Sequence, residues 1–213
     1  MSNDQHTLIV NHQDIQLKKL TTVFFISGFS ALIYQVAWQR LLFSSFGVDL
    51  ESVTIIISIF MAGLGLGAFY GGRIADRNPN KLIAIFSAIE LLIGIFGLLS
   101  PYLIFVVTQY FIDANTLMMA AANFCLLVIP TFLMGITLPL LTYYFNLKIE
   151  NIGESIGRLY IYNTIGAAMG ALSVSFVFFN YMTVHQVIYL AATLNIFIAI
   201  HIFISLRDSE IKI

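Results

Sequence analysis

An all-α polytopic membrane protein with six transmembrane helices is the fold class this sequence predicts. Three observations carry that expectation. Hydrophobic residues make up 59% of the 213 and charged residues only 10%, with a mean hydropathy of +0.91. Soluble domains carry about 25% charged residues, and no soluble core can absorb so much apolar surface. Six apolar runs follow one another, each long enough for a helix to cross a bilayer, which takes about 20 residues. The basic residues are also segregated. Counting along six spans, Lys18, Lys19, Arg73, Arg77, Lys81, Lys148, Arg158, Arg207 and Lys212 fall on the side of both termini, nine of the ten, and only Arg40 falls opposite, with Asp49, Glu51 and Asp113. By the positive-inside rule both termini are cytoplasmic and the location is a bacterial inner (plasma) membrane.

The expected organisation is a polar cytoplasmic tail at residues 1–19, a six-helix membrane domain at 20–206 and a short charged cytoplasmic tail at 207–213. The first tail lacks the short basic start and apolar core of a signal peptide, so no cleavage is expected. His6 and His12 are six apart, which matches no helical ligand spacing. The first span covers residues 20–43, and its second half, SGFSALIYQVAWQRLL, is unusually polar. Tyr34 and Trp38 are i,i+4 neighbours, Gln35 and Gln39 form a row beside them, and Arg40 follows. An aromatic belt with a snorkelling arginine accounts for Tyr34, Trp38 and Arg40. Gln35 lies too deep for that, so part of this helix should face protein or water.

The second span covers 52–72 and is studded with glycine. Gly63, Gly67 and Gly71 recur every four residues and stack on one side-chain-free face, with Ala68 and Gly72 in a second small row. Such faces let membrane helices approach backbone to backbone, either within one chain or between two copies. Gly63, Gly65 and Ala68 also match the dinucleotide fingerprint, but that pattern needs a strand before it and a helix beginning at it. Here it lies inside an apolar run. The turn that follows holds Gly72, Asp76, Arg77, Asn78, Pro79 and Lys81. Opposite charges at two helix ends can lock neighbouring helices, with Asp76 and Arg77 reaching Glu154 or Arg158; a plain topology signal is the alternative.

The third span is expected at 82–99, closed by Ser100 and Pro101, so that Glu90 is the ninth of 18 residues. Nine residues at about 1.5 Å each place it roughly 14 Å into the helix, close to the middle of a hydrocarbon core about 30 Å thick. A carboxyl at that depth is costly and faces the bundle interior. No lysine or arginine shares its depth; Asn163, Gln35, Tyr34 and Asn195 are the neutral partners within reach. The carboxyl is therefore expected to rest protonated, as a site for a cationic ligand or as hydrogen-bonding glue between helices. The fourth span, 117–144, contains Pro130 and Pro139 and should kink, with Thr131 and Thr137 there to occupy freed carbonyls. The fifth, 155–180, places Asn163, Gly166 and Gly170 on one packing face, and the sixth covers 184–206 with Asn195 at its middle and His185 and His201 near its ends.

The lone Cys125 permits no disulfide within the chain. No metal-ligand cluster, no Ser-His or Cys-His pairing and no nucleic-acid signal is evident, so neither metal nor cofactor is expected.

Two resemblances add to this. Gly72, Asp76, Arg77 and Lys81 fall at the spacing of the loop between helices 2 and 3 of the major facilitator superfamily, with Asn78 and Pro79 where that family often has glycine. Residues 27–42 and 157–172 resemble the membrane portion of bacterial membrane-bound spermidine synthase-like proteins. Residues 60–77, the stretch 89–101 around Glu90 and residues 133–141 fit the same pattern. In that family a facilitator-like membrane domain is fused to a soluble aminopropyltransferase. The resemblance implies six helices arranged like one half of a facilitator transporter. These 213 residues contain no aminopropyltransferase segment, so the expectation is a chain that is not itself an enzyme. Two functions follow from it. The first is binding or transport of a small, amine-bearing molecule by a homodimer, or with a second membrane subunit, since a facilitator site lies between two halves. The second is a non-transporting module that anchors or serves a soluble spermidine synthase-like enzyme or other assembly. Glu90, Gln35, Tyr34, Trp38 and Asn163 are the candidate interior site.

Overall fold

The computed structural model describes residues 3–46, 49–111, 113, 116–149 and 151–206, without the side chains of 3–14, 45, 46, 49, 51, 52 and 116. The second tail, with Arg207 and Lys212, and the side chains of His6, His12 and Asp14 lie outside that set. Six helices are long and apolar enough to cross a membrane, as the composition requires. They are α1 (Asn3–Phe46), α2 (Asp49–Arg77), α3 (Leu82–Tyr110), α4 (Thr116–Ile149), α5 (Ile152–Ser173) and α6 (Val184–Leu206). A 3-10 turn (Pro79–Lys81) links α2 to α3, and a π turn (Val174–Phe178) with a last α turn (Phe179–Tyr181) prolongs α5.

Two boundaries differ from the sequence expectation for physical reasons. The first tail is helical from Asn3 and continuous with the span, whose apolar part is Ile15–Ser44. The third helix does not stop at Pro101 but runs on to Tyr110. A proline removes the amide that would bond the carbonyl four residues back, here that of Gly97. The Ser100 hydroxyl donates to that carbonyl at 2.9 Å, so the helix continues. Glu90 therefore lies in the first third of a 29-residue helix rather than at its centre, though still nine residues from its start. In α4 both prolines also sit inside the helix. Thr131 donates to the carbonyls of Leu127 and Val128 and Thr137 to that of Met134, within one or two residues of those that Pro130 and Pro139 free.

The most extensive seams join α2 to α4, α1 to α5 and α3 to α6, followed by α1 to α6 and α3 to α4. That set is unchanged when α1, α2 and α3 are exchanged with α4, α5 and α6. The chain is thus two copies of a three-helix unit, and the atoms agree. A Cβ on Gly67 would strike the carbonyl oxygen of Phe132, and one on Gly170 would strike that of Phe29. Gly67 and Gly170 are 103 residues apart, as are Phe29 and Phe132 and also Gly63 and Gly166. In each copy a glycine row on the second helix accepts the backbone of the other copy's first helix. Gly63, Gly67 and Gly71 pack on Thr131–Ile136 of α4, while Gly166 and Gly170 pack on Phe25 and Phe29 of α1. All five are internal contacts.

Candidate functional site: a buried carboxyl between three helices

The site grows out of the seam between α1 and α3, which run in parallel. Ser27 meets Glu90, Tyr34 meets Gly97 and Trp38 meets Ser100, offsets of 63, 63 and 62 residues. On α3 the positions are spaced i, i+7, i+10, so Glu90, Gly97 and Ser100 share one face. Small residues make the contact close. A side chain at Gly97 would collide with the Tyr34 hydroxyl, and one at Gly94 would meet Ile196 and the Ala192 carbonyl of α6. The approach at Gly94 brings Asn195 of α6 over Glu90.

Glu90 is wholly buried. The Ser27 hydroxyl donates to its Oε1 at 2.6 Å and the Asn195 Nδ2 donates to its Oε2 at 2.6 Å. Three helices therefore converge on one carboxyl, and both direct partners are neutral. Among the described residues no lysine or arginine is paired with it. Three further buried polar atoms on the same elements have no hydrogen-bond partner among the described residues: the Tyr34 hydroxyl, Ser87 Oγ one turn before Glu90, and Asn195 Oδ1. Buried polar atoms normally find a protein or water partner, so these three atoms leave hydrogen-bonding capacity unused around the carboxyl's helices. Farther along the seam Tyr34 stacks on Trp38 with ring centroids 4.8 Å apart, and the indole N–H donates to Ser100 Oγ at 2.9 Å.

The expected interior residues thus divide. Glu90, Tyr34 and Trp38 share the α1–α3 seam. Gln35 is half-buried and does not bond Glu90. Asn163, also half-buried, lies with its backbone and side-chain oxygens against Gly28 at the α1–α5 seam. Ser27 escaped sequence reasoning; the signal was a serine and a glycine in the middle of an apolar span, without a way to know which helix they faced. Arg40 is exposed and stands 5.7 Å over the Phe179 ring at the end of α5's extension, away from the carboxyl.

The charged turn is arranged differently from the expected lock. Asp76 and Arg77 are exposed and, among the described residues, neither forms an ion pair. Arg158 pairs at 3.3 Å with Glu154 of its own helix, both side chains being more than two-fifths exposed. Asn151 caps α5 by accepting from the Glu154 amide at 3.1 Å, and the Asn78 side chain donates to the Ile74 carbonyl at the end of α2. Arg73 lies 3.9 Å over the Phe69 ring. Asp76 and Gly72 do share one groove with Asn146, Ile152 and Ile156, so the turn and the start of α5 are neighbours without a direct bond. Lys81 closes the 3-10 turn and is exposed. Among the described residues no group of three metal-ligating side chains occurs.

No protein-family model and no solved structure matches the chain. A polyamine aminopropyltransferase of Oceanobacillus iheyensis is 24% identical to it over 195 residues, which is 90% of this chain. The chain spans 36% of that protein's length. The likeness is therefore to a part of an aminopropyltransferase.

Proposed function

We propose that this chain is a half-size, facilitator-like protein of the inner membrane that binds a small cationic amine at Glu90. The observation that carries this reading is a wholly buried carboxyl whose two hydrogen-bond partners among the described residues, Ser27 and Asn195, are neutral donors, with three buried polar atoms on the same helices lacking a partner there. A buried carboxylate without a counter-charge is costly, and an ammonium group supplies both the charge and the missing donors. The repeat of two three-helix units supports the facilitator likeness, because each six-helix half of such a transporter is built as a three-plus-three repeat. Admission of a guest requires α1, α3 and α6 to part, and in the transporting form a second half, a further copy or a partner subunit, completes the path.

The test is binding of spermidine to detergent-purified protein, followed by flux in proteoliposomes. The wild type binds and Glu90→Gln, close to a protonated carboxyl in shape, folds with unchanged melting temperature but does not bind. Equal behaviour of the two proteins would leave Glu90 as hydrogen-bonding glue. A second reading is favoured by the match to a polyamine aminopropyltransferase: the chain is a membrane module that anchors or serves such an enzyme. Co-purification of a soluble aminopropyltransferase with no amine flux supports that reading against transport.

A further inference from the structure

The start of α1 and the end of α6 leave a groove of about 370 Å³ between them. Its depth is fixed by the buried site. Ser27 and Asn195 both bond Glu90, so they lie at one level, and α1 and α6 run in opposite directions. Six residues further, ~9 Å along each helix, stand Thr21 and His201, within two turns of the ends of the two apolar spans. The groove is graded along that axis. Lys18, Lys19 and His201 surround its outer end, whereas Val23, Ile26, Phe197 and Ile198 line its inner end. On α1 these residues fall at i, i+1, i+5 and i+8 from Lys18, which holds the lysines and the apolar wall to one side. The His201 ring is stacked on Phe197, with centroids 5.9 Å apart and planes 13° from parallel. Among the described residues no carboxylate lines the groove and neither lysine forms an ion pair.

A cationic rim over an apolar slot between two membrane-length helices is complementary to one kind of molecule. We propose that this groove binds an anionic phospholipid, its phosphate held by Lys18, Lys19 and His201 and an acyl chain lying along Ile26 and Phe197. Basic pockets between helices at a membrane surface take acidic headgroups in this manner. The assignment is independent of what Glu90 binds.

The experiment uses the whole chain in a neutral detergent, with phosphatidylglycerol, phosphatidylcholine and inorganic phosphate as probes. Retained lipid is counted by native mass spectrometry and the melting temperature is followed in parallel. Phosphatidylglycerol is expected to be retained and to raise the melting temperature, phosphatidylcholine to do neither, and Lys18→Gln/Lys19→Gln to bind phosphatidylglycerol roughly tenfold more weakly or worse. Ile26→Trp, which fills the slot and leaves both lysines, is expected to lower retention as well and keeps the test open if the double variant does not fold. Equal retention of the two lipids, or undiminished phosphatidylglycerol retention in whichever variant folds, would overturn the proposal. So would stabilisation by inorganic phosphate equal to that by the lipid, which would identify a site for a free anion instead.

Discussion

The Glu90 cluster and the Asp76–Arg77 turn are both polar interruptions of apolar helices, yet the protein treats them oppositely. Glu90 is wholly buried, and two other helices each contribute a donor at 2.6 Å. Asp76 and Arg77 are exposed at the end of α2, and the nearest ion pair, Arg158 with Glu154, is local to one helix. The difference is solvation. Water can satisfy the turn's charges one by one, so they have no need of each other. Bulk water does not reach Glu90, so side chains of other helices are brought to it.

The comparison predicts a graded set of effects. The largest is expected at Asn195→Leu, which leaves one carboxyl oxygen without its donor; a loss of ~2 kcal/mol is the scale for a buried group left unpaired, read as a lower melting temperature in detergent. If Asn195→Leu proves neutral, the convergence of helices on Glu90 is a consequence of packing and not a cause of it. Ser27→Ala should cost less, ~1 kcal/mol, within the range of hydrogen bonds between membrane helices. Ser100→Ala is expected to cost a similar ~1 kcal/mol, because it removes both the donor to the Gly97 carbonyl and the acceptor of the Trp38 N–H. The Trp38 fluorescence should then shift, which would not follow from a change elsewhere on α3. At the bottom of the series, Asp76→Asn should change stability by no more than ~0.5 kcal/mol, as surface substitutions generally do, and Arg158→Gln by a similarly small amount. A large loss from Asp76→Asn would mean that the turn acts through a partner beyond this chain.

Much of this architecture was legible in the residues, and what was not has identifiable causes. The sixth helix, expected at 184–206, is Val184–Leu206, because a proline-free apolar run with a clear polar start leaves no choice. Glu90 and Asn195 were recognisable from depth alone, since polar groups in an apolar span must face protein. Ser27 was not, because helix facing depends on which helices pair, and pairing is a tertiary property. Pro101 reads as a stop when each residue is weighed separately; the serine before it changes its meaning by replacing the lost amide. The expected lock at Asp76 rested on charge and spacing, but Glu154 and Arg158 are four apart on one helix, and the shorter local pairing prevailed. The repeat escaped notice because it survives in a few shape-critical positions, Gly63 and Gly67 against Gly166 and Gly170, rather than in overall identity.

The exchange of packing partners between the two three-helix units also has a consequence in time. The glycine row on α2 packs on α4, and that on α5 packs on the backbone of α1 at Phe25 and Phe29. While the chain is being synthesised, α1 to α3 are complete long before either partner exists, and their tightest surfaces stay open to lipid. Neither unit can finish folding first and serve as a template for the other. Each principal seam instead waits for a helix of the second unit, α4 for α2, α5 for α1 and α6 for α3, and Glu90 is sealed with the last of them, when Asn195 comes to rest.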